Sequence, residues 1–420
     1  VHRDNVNQFP TRKVAAAASA RFTYLAETIA KAHEPTQTQL DELERAYNAT
    51  GQYLSECEEF DGLLMEVHAH GSRQLGTIVR PIDVLREGFD IDLIARLMRG
   101  ALARYGGDGG TMLLIEHLFQ ALKRYADRHG LKIKRWERCV TLTYAGGMCA
   151  DFAPVIDDPT TLATHGQHHG RIPDRELKRY LATNPRGYSL GFDEIARILP
   201  SYRRTFAEDA AIKSFHRADV APLPDSADVL GRPLSRFVQL GKIHRNVAFA
   251  DVDRALAPTS VFLTSLIAKA YAIAAPQMHD GPLDLFFDMV ELLPTLFGRE
   301  LLGGGREHWT LANPYAHGDN LASSMNDSPQ RQQAFSQWHA KLLCDLDKLL
   351  EAIDGARGLD EVHKVVEQSF GPRAGQAAIQ RGAERREENR TLKRAGFTIA
   401  GTLPVTQPAR AHTYFGGPET

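Results

Sequence analysis

The segment FDIDLIARL, residues 89–97, constrains this chain more than any other. Its apolar residues alternate with period two, so Phe89, Ile91 and Leu93 fall on one face of a β-strand and Asp90 and Asp92 on the other. Two carboxylates then share one side of one strand, roughly 6 to 7 Å apart along it. Like charges at that spacing repel and each is costly to desolvate, so the pair calls for a cation between them, most simply a divalent metal. An Asp-x-Asp by itself fits equally well a sheet-edge strand whose solvent face happens to be acidic. Gly71 and Ser72, upstream, shift that balance. They follow an apolar segment and open a short helix, where glycine lets a ligand approach the backbone, free N–H groups point outward and the serine hydroxyl adds a donor.

A two-metal site needs ligands from more than one direction, with its ions roughly 3.5 to 4 Å apart. The segment MCADFAPVI supplies Asp151, flanked by Ala150 and Phe152 on a strand that otherwise reads as buried. Three aspartates on two strands beside a Gly-Ser turn define a site for phosphoryl or nucleotidyl transfer.

The rest of the chain supplies a frame for such a site. At 420 residues and 43% apolar composition there is room for two domains, or one bilobed unit with a cleft. Fifty basic against fifty-two acidic residues leave a net charge of -2, which argues against a dedicated binder of long nucleic acids and leaves small anionic ligands open. Cys57, Cys139, Cys149 and Cys344 form no CxxC pair, so neither a zinc ribbon nor a disulfide framework is indicated, and a reducing cytosol fits best. The charged, amphipathic start lacks an apolar signal core and no run reaches the eighteen apolar residues of a membrane span; the expectation is a soluble, cytoplasmic protein that is not exported.

Helical periodicity is expected over residues 12–33 and again behind a Thr cap over 36–60. Strand, turn and helix follow from residue 63: LLMEVHAH before Gly71, a helix near 111–129, then LKIKRWERCVTLTYA and MCADFAPVI as two further strands. Residues 157–190 read as loops around a short helix. Beyond 190 the texture is helical, including DEIARILPSYRRTFAEDAAIKSF over 193–215, and FTIAGTLPV near the end reads as a short strand before a closing turn.

These residues resemble the nucleotidyltransferases of the polymerase-β superfamily, whose pattern is Gly-Ser, a spacer, Asp-x-Asp and a later Asp. Within it the likeness is to the CD-NTases, bacterial relatives of cyclic GMP-AMP synthase and 2',5'-oligoadenylate synthase. GSRQLGTIVRP followed by FDIDL resembles their Gly-Ser and Asp-x-Asp segment, MCADFAPVI their third-aspartate strand, and VQLGKIHRN a degenerate form of their Lys-x-His-Arg-Asp helix. PTSVFLTSLIAKAY and NPYAHGDN extend the likeness, which spans most of residues 55–345. His70, Gly241, Asn246 and Met325 depart from the pattern.

The resemblance implies an α+β fold: a polymerase-β-like nucleotidyltransferase core with a mixed twisted sheet and N-terminal helices over 1–190, and a helical C-terminal lobe over 191–420, with the active site in the cleft between them. It implies that Asp90 and Asp92 hold two Mg²⁺ or Mn²⁺ ions and Asp151 one of them, that Gly71 and Ser72 bind the β- and γ-phosphates, and that Lys242 and Ser260 add a charge and a hydroxyl. Lys242 and Arg245 read locally as an ordinary solvated helix face, and Ser260 as part of a helix N-cap. The implied activity is synthesis of a cyclic di- or trinucleotide from NTPs in CBASS antiphage defence, with a separate effector protein as receiver and no role for a membrane or long DNA. The alternative is a polymerase-β relative that adds nucleotides to RNA or a protein acceptor.

Other segments read as structural. HGQHH (165–169) has no fixed helix or strand spacing and reads as a mobile surface loop. Gly303-Gly304-Gly305 lacks the strand and lysine of a P-loop. Cys149 reads as packing, and the Arg-rich stretch 381–394, interleaved with glutamates, as a solvated helix.

Overall fold

The structure, a computed structural model, describes residues 16–82, 90–144, 147–161, 167–203, 233–354 and 359–394. The chain forms two compact units, Val1–Ala378 and Ile379–Thr420. The expected strand FTIAGTLPV and closing turn lie outside the described residues.

In the first unit, helix α1 (Ala16–His33) is followed by α2 (Gln37–Ser55), which starts where the sequence places a cap. The Thr36 hydroxyl accepts from the Gln39 N–H and the Gln39 side chain accepts from the Thr36 N–H, a reciprocal capping box. Strand β1 (Leu64–His70) runs into the one-turn helix α3 (Gly71–Gln74), and β2 (Asp90–Leu97) follows. A short α4 (Leu102–Tyr105) leads to α5 (Gly110–His129), which ends at Gly130 in the left-handed region that lets the chain leave the helix. Then come β3 (Lys132–Arg135), β4 (Val140–Thr143) and β5 (Cys149–Asp157).

These strands form one mixed sheet in the order β1-β2-β5-β4-β3. β2 and β5 are parallel, joined across α5, and the other pairs are antiparallel. The alternation in β2 does what its period predicts. Ile91, Leu93 and Leu97 turn to one face and are buried with Leu43 and Leu54 of α2, Leu114, Leu118 and Leu122 of α5, and Phe152. Each such side chain contributes roughly 1.5–3 kcal/mol relative to exposure. The opposite face is left for the aspartates.

Two expectations change here. LKIKRWERCVTLTYA is not one strand but the hairpin β3–β4, turned at Trp136–Cys139, where the Trp136 N–H donates to the Cys139 carbonyl at 2.9 Å. Residues 157–190 hold a second hairpin, β6 (Gly170–Asp174) and β7 (Arg179–Thr183), which joins the sheet beside the end of β5. Its strands are too short and too mixed in polarity for local periodicity to reveal them.

Helix α6 (Pro185–Ala196) is capped by Asn184, whose side chain accepts from the Gly187 N–H at 2.8 Å. The helix expected over 193–215 ends at Ala196, because Pro200 disfavours helix at the residue before it. Ser201–Tyr202 (β8) instead pairs with Met278–His279 (β9), and residues 204–232 lie outside the described residues.

The second core is helical. α7 (Pro233–Ala248), α8 (Ser260–Ala274), α9 (Pro282–Leu292), α10 (Pro329–Asp354) and α11 (Leu359–Phe370) share one hydrophobic cluster, with Phe237 and Phe286 stacked at 4.9 Å between ring centres. Phe22, Leu25 and Ile29 of α1 belong to this cluster, so α1 packs with the helices beyond residue 232 rather than on the sheet. Arg299–Trp309 pairing forms the small hairpin β10 (Gly298–Leu301) and β11 (Glu307–Thr310), and the three glycines 303–305 are its turn. The stretch Arg254–Ala274 is long and apolar enough to cross a membrane by composition, yet Phe262, Leu266, Ile267 and Tyr271 are buried in this core. The last helix among the described residues is α12 (Pro372–Arg394), and in the second unit Arg381 pairs with Glu384 at 2.9 Å.

Gly241 does not interrupt α7. The helix runs through it, and a Cβ there would lie 2.7 Å from Ile267 Cδ1 of α8, so the glycine permits the close approach of the two helices. The α+β class, with a mixed sheet core and a helical C-terminal lobe, is the architecture observed.

Candidate active site

Sheet register builds the site. His70 of β1 lies opposite Asp92 of β2, and Asp92 lies opposite Asp151 of β5, so carboxylates 59 positions apart in sequence become neighbours across a parallel pair. Asp90 lies opposite Cys149, one step along the same face. The turn after β1 closes over this row. Gly71 has φ of +62°, and a Cβ on it would sit 2.0 Å from Asp92 Oδ2. Both the left-handed backbone and the contact require glycine, and together they bring the start of α3 against the Asp92 carboxylate.

A single cleft of about 950 Å³ is lined by Gly71, Ser72, Asp90, Asp92, Asp151, Lys242 and Ser260. All seven residues singled out in the sequence thus face one space, wide enough for nucleotide-sized ligands. Burial, then Asp151 and Asp92, push the Asp90 carboxyl up to about 6; burial and Asp151 do the same to Asp92, against the opposing pull of Lys242. Burial, with His68 beside it, pushes His70 down to about 4, so a neutral imidazole borders the row.

The donor set fits hard divalent cations. Asp90, Asp92 and Asp151 offer oxygen atoms only, and their mutual repulsion is what an ion pair would relieve. Among the described residues no three His, Cys, Asp or Glu side chains close up as a ready-made cage. Magnesium suits that arrangement, because it takes one or two carboxylates plus substrate phosphates rather than an all-protein shell.

Across the cleft, α7 departs from its sequence reading. Lys242 is only 3% exposed, so the helix does not present a solvated basic face. The Ser235 hydroxyl donates to the Leu75 carbonyl at 3.2 Å, the Gln239 amide to the Ile78 carbonyl at 3.2 Å, and Lys242 Nζ to the Thr77 carbonyl and hydroxyl at 3.2 and 3.1 Å. Positions i, i+4 and i+7 of one helix face thereby hold three carbonyls, those of Leu75, Thr77 and Ile78, in the chain leaving α3. Burial, with Arg245 nearby, pushes Lys242 down to about 7, while Asp92 pulls it back up. Arg245 Nη1 donates to the Pro258 carbonyl at 2.8 Å and to Ser260 Oγ at 3.2 Å, tying α7 to the first residue of α8. Behind them His244 and Asp345 of α10 pair at 3.1 Å, and burial lowers the histidine.

Sequence reasoning missed several residues that line the cleft: Tyr188, Asn313, Asp319 and Arg331. NPYAHGDN signalled two of them, since it contains Asn313 and Asp319, which bond to each other at 2.8 Å. Nothing local marks Tyr188 or Arg331. Of HGQHH, His165 lies outside the described residues. His168 is not on a free surface loop, because its Nδ1 is 3.1 Å from Arg96 Nη1 at the far end of β2. Cys149 is half-buried and 3.5 Å from the Thr143 hydroxyl.

Comparison with known proteins agrees with this geometry. Residues 19–195 match the family described as Second Messenger Oligonucleotide or Dinucleotide Synthetase domain. A c-di-GMP synthase of Roseivirga ehrenbergii is 25% identical over 409 residues, covering 94% of this chain and 98% of that protein. The cyclic dinucleotide synthase CdnG of Bradyrhizobium diazoefficiens is 29% identical over 189 residues, 42% of this chain and 41% of its own. The solved structure of that CD-NTase in complex with GTP superposes with a TM-score of 0.61 at 19% identity, covering 85% of this chain and 96% of that one. Residues 19–195 thus match a second-messenger oligonucleotide or dinucleotide synthetase domain, and the chain as a whole is similar in sequence to cyclic dinucleotide synthases and in fold to a CD-NTase.

Proposed function

We propose that this enzyme joins ribonucleoside triphosphates into a cyclic di- or trinucleotide and releases pyrophosphate, with Asp90, Asp92, Asp151, Gly71, Ser72, Lys242 and Ser260 as its working residues. One observation carries the reading: Asp92 and Asp151 are register partners, Asp90 is on the same face, and the Gly71 turn touches Asp92 inside one cleft. Asp90 and Asp92 would hold two divalent ions, Mg²⁺ or Mn²⁺, and Asp151 one of them. Bound there, the ions neutralise phosphate charge and favour ionisation of an attacking ribose hydroxyl.

The chain's own groups do the rest. Backbone N–H groups at the start of α3 and the Ser72 hydroxyl bind the terminal phosphates, where glycine leaves the backbone open to them. Ser260 Oγ already accepts from Arg245, so its own proton is left to donate to a phosphate oxygen. Lys242 contributes positive charge from a buried position while its hydrogen bonds hold Thr77, so it acts on the phosphates at a distance and on the turn directly. A linear intermediate must turn over in the cleft before a second transfer closes the ring.

The names of the two relatives favour a dinucleotide and guanine nucleotides as the first substrates to try. In this reading the product activates a separate effector protein in antiphage defence, and the enzyme works in the cytoplasm, where NTPs are made. The test is incubation with Mg²⁺ or Mn²⁺ and labelled NTPs, singly and mixed, followed by phosphatase. A resistant small product, absent with Asp90→Ala/Asp92→Ala, supports the proposal. Labelled RNA or protein instead of a small product points to the acceptor-modifying alternative.

A further inference from the structure

The row that contains Asp92 and Asp151 does not stop at β5. Thr141 of β4 lies opposite Asp151, and Lys134 of β3 lies opposite Thr141. Five polar residues, His70, Asp92, Asp151, Thr141 and Lys134, therefore cross five strands at one register on one face. Such a line runs from the cleft to the far edge of the sheet.

Hydrogen bonds follow that line in a fixed direction. Thr141 Oγ1 is bonded to Asp151 Oδ1, and Trp136 Nε1 lies 2.8 Å from Thr141 Oγ1. An indole N–H can only donate and an ionised carboxylate can only accept, so Trp136 donates to Thr141 and Thr141 donates to Asp151. Lys134 Nζ sits 3.3 Å from the centre of the Trp136 ring and holds its plane by a cation–π contact. The carboxylate's other oxygen takes no side-chain hydrogen bond among the described residues.

We propose that Thr141 and Trp136 are positioning residues that orient Asp151 for its cation: Thr141 fixes the carboxylate plane through Oδ1, and Trp136 fixes the hydroxyl rotor so that its proton points at Asp151. Outer partners of metal-binding carboxylates commonly set metal affinity by about 10- to 100-fold. Thr141 is only half-buried, so no packing demand explains a hydroxyl there. This inference rests on the reading of Asp151 as a metal ligand.

The experiment is calorimetric titration of the full chain with Mn²⁺, with turnover at varied Mg²⁺ in parallel. Thr141→Val, which keeps the shape and deletes the donor, is expected to weaken Mn²⁺ binding at least tenfold and raise the Mg²⁺ needed for half-maximal rate equally, with the KM for NTP within twofold of wild type. Thr141→Ser restores the donor and is expected within threefold of wild type. Trp136→Phe keeps the ring under Lys134 and loses only the N–H, so a smaller shift, about threefold, is expected. Trp136 is 40% exposed while Trp309 and Trp338 are buried, so its emission reports the row directly. Mn²⁺ should change the emission of the wild type and not that of Trp136→Phe. Mn²⁺ binding by Thr141→Val within twofold of wild type overturns the proposal, and so does an equal loss in Thr141→Ser and Thr141→Val. Wild-type protein that binds Mn²⁺ but forms no cyclic product overturns the proposed function and leaves this inference standing on the titration.

Discussion

The two walls of the cleft treat polar groups in opposite ways. On the sheet wall Asp90 and Asp92 are held close to Asp151, and burial with mutual repulsion lifts both to about 6. On the α7 wall Ser235, Gln239 and Lys242 are more deeply buried, yet each donates to a backbone carbonyl of residues 75–78. Satisfied polar groups make architecture, and charges left in repulsion make a site that waits for a counter-ion. The contrast separates the carboxylates proposed to perform the chemistry from the groups that hold the turn beside them.

The largest expected effect lies on the sheet wall. Asp92→Asn should reduce turnover by about 1,000-fold or more while leaving the fold intact. Its effect on stability should run the other way. Asp92 binds its proton more tightly folded, at about 6, than at the ordinary carboxylate value of 3.8, so the ion-free protein loses stability as pH rises from about 4 to about 6. In EDTA at pH 7.5 the variant should therefore be more stable by about 1 kcal/mol, with no gain at pH 4, as read by urea unfolding. A variant less stable at pH 7.5 would remove the contrast. Turnover at limiting Mg²⁺ should also fall as pH drops below about 6, where Asp90 and Asp92 take up protons.

Gly71→Ala comes next. Its Cβ would have to displace the Asp92 carboxylate, and a shift near 1 Å at a reacting centre costs about 100-fold in rate. Measured kcat within fivefold of wild type would mean that the turn is not coupled to Asp92.

On the α7 wall, Gln239→Leu should cost about 1–3 kcal/mol, because the Ile78 carbonyl is left buried without its donor. Activity at a temperature where the variant stays folded should drop far less than in Asp92→Asn. The smallest effect is expected from Gly241→Ala, away from both walls. Crowding of Ile267 outweighs the better helix propensity of alanine by about 1 kcal/mol, and specific activity should not change.

The legible part of this molecule was local. A Thr cap marks the start of α2, helical periodicity the span of α5, and the alternation around Asp90 and Asp92 a strand with a polar face, because caps and periodicities depend on residues a few positions apart. The hairpin Gly170–Thr183 was not legible, since its short strands gain their stability from pairing with β5 rather than from a pattern of their own. Lys242 shows the same limit at a single residue. Its likeness to a family lysine suggested the cleft, but only packing put its ammonium on Thr77.

The sequence by itself determined that three aspartates would stand on strands and that a glycine would precede a short helix near them. Tertiary structure alone decided that Asp92 faces Asp151, that the row continues through Thr141 to Lys134, and that α1 packs with the C-terminal helices. The reason is physical: side-chain direction along a strand is set by the backbone's own period, whereas register between distant strands is set by which apolar faces must be buried together.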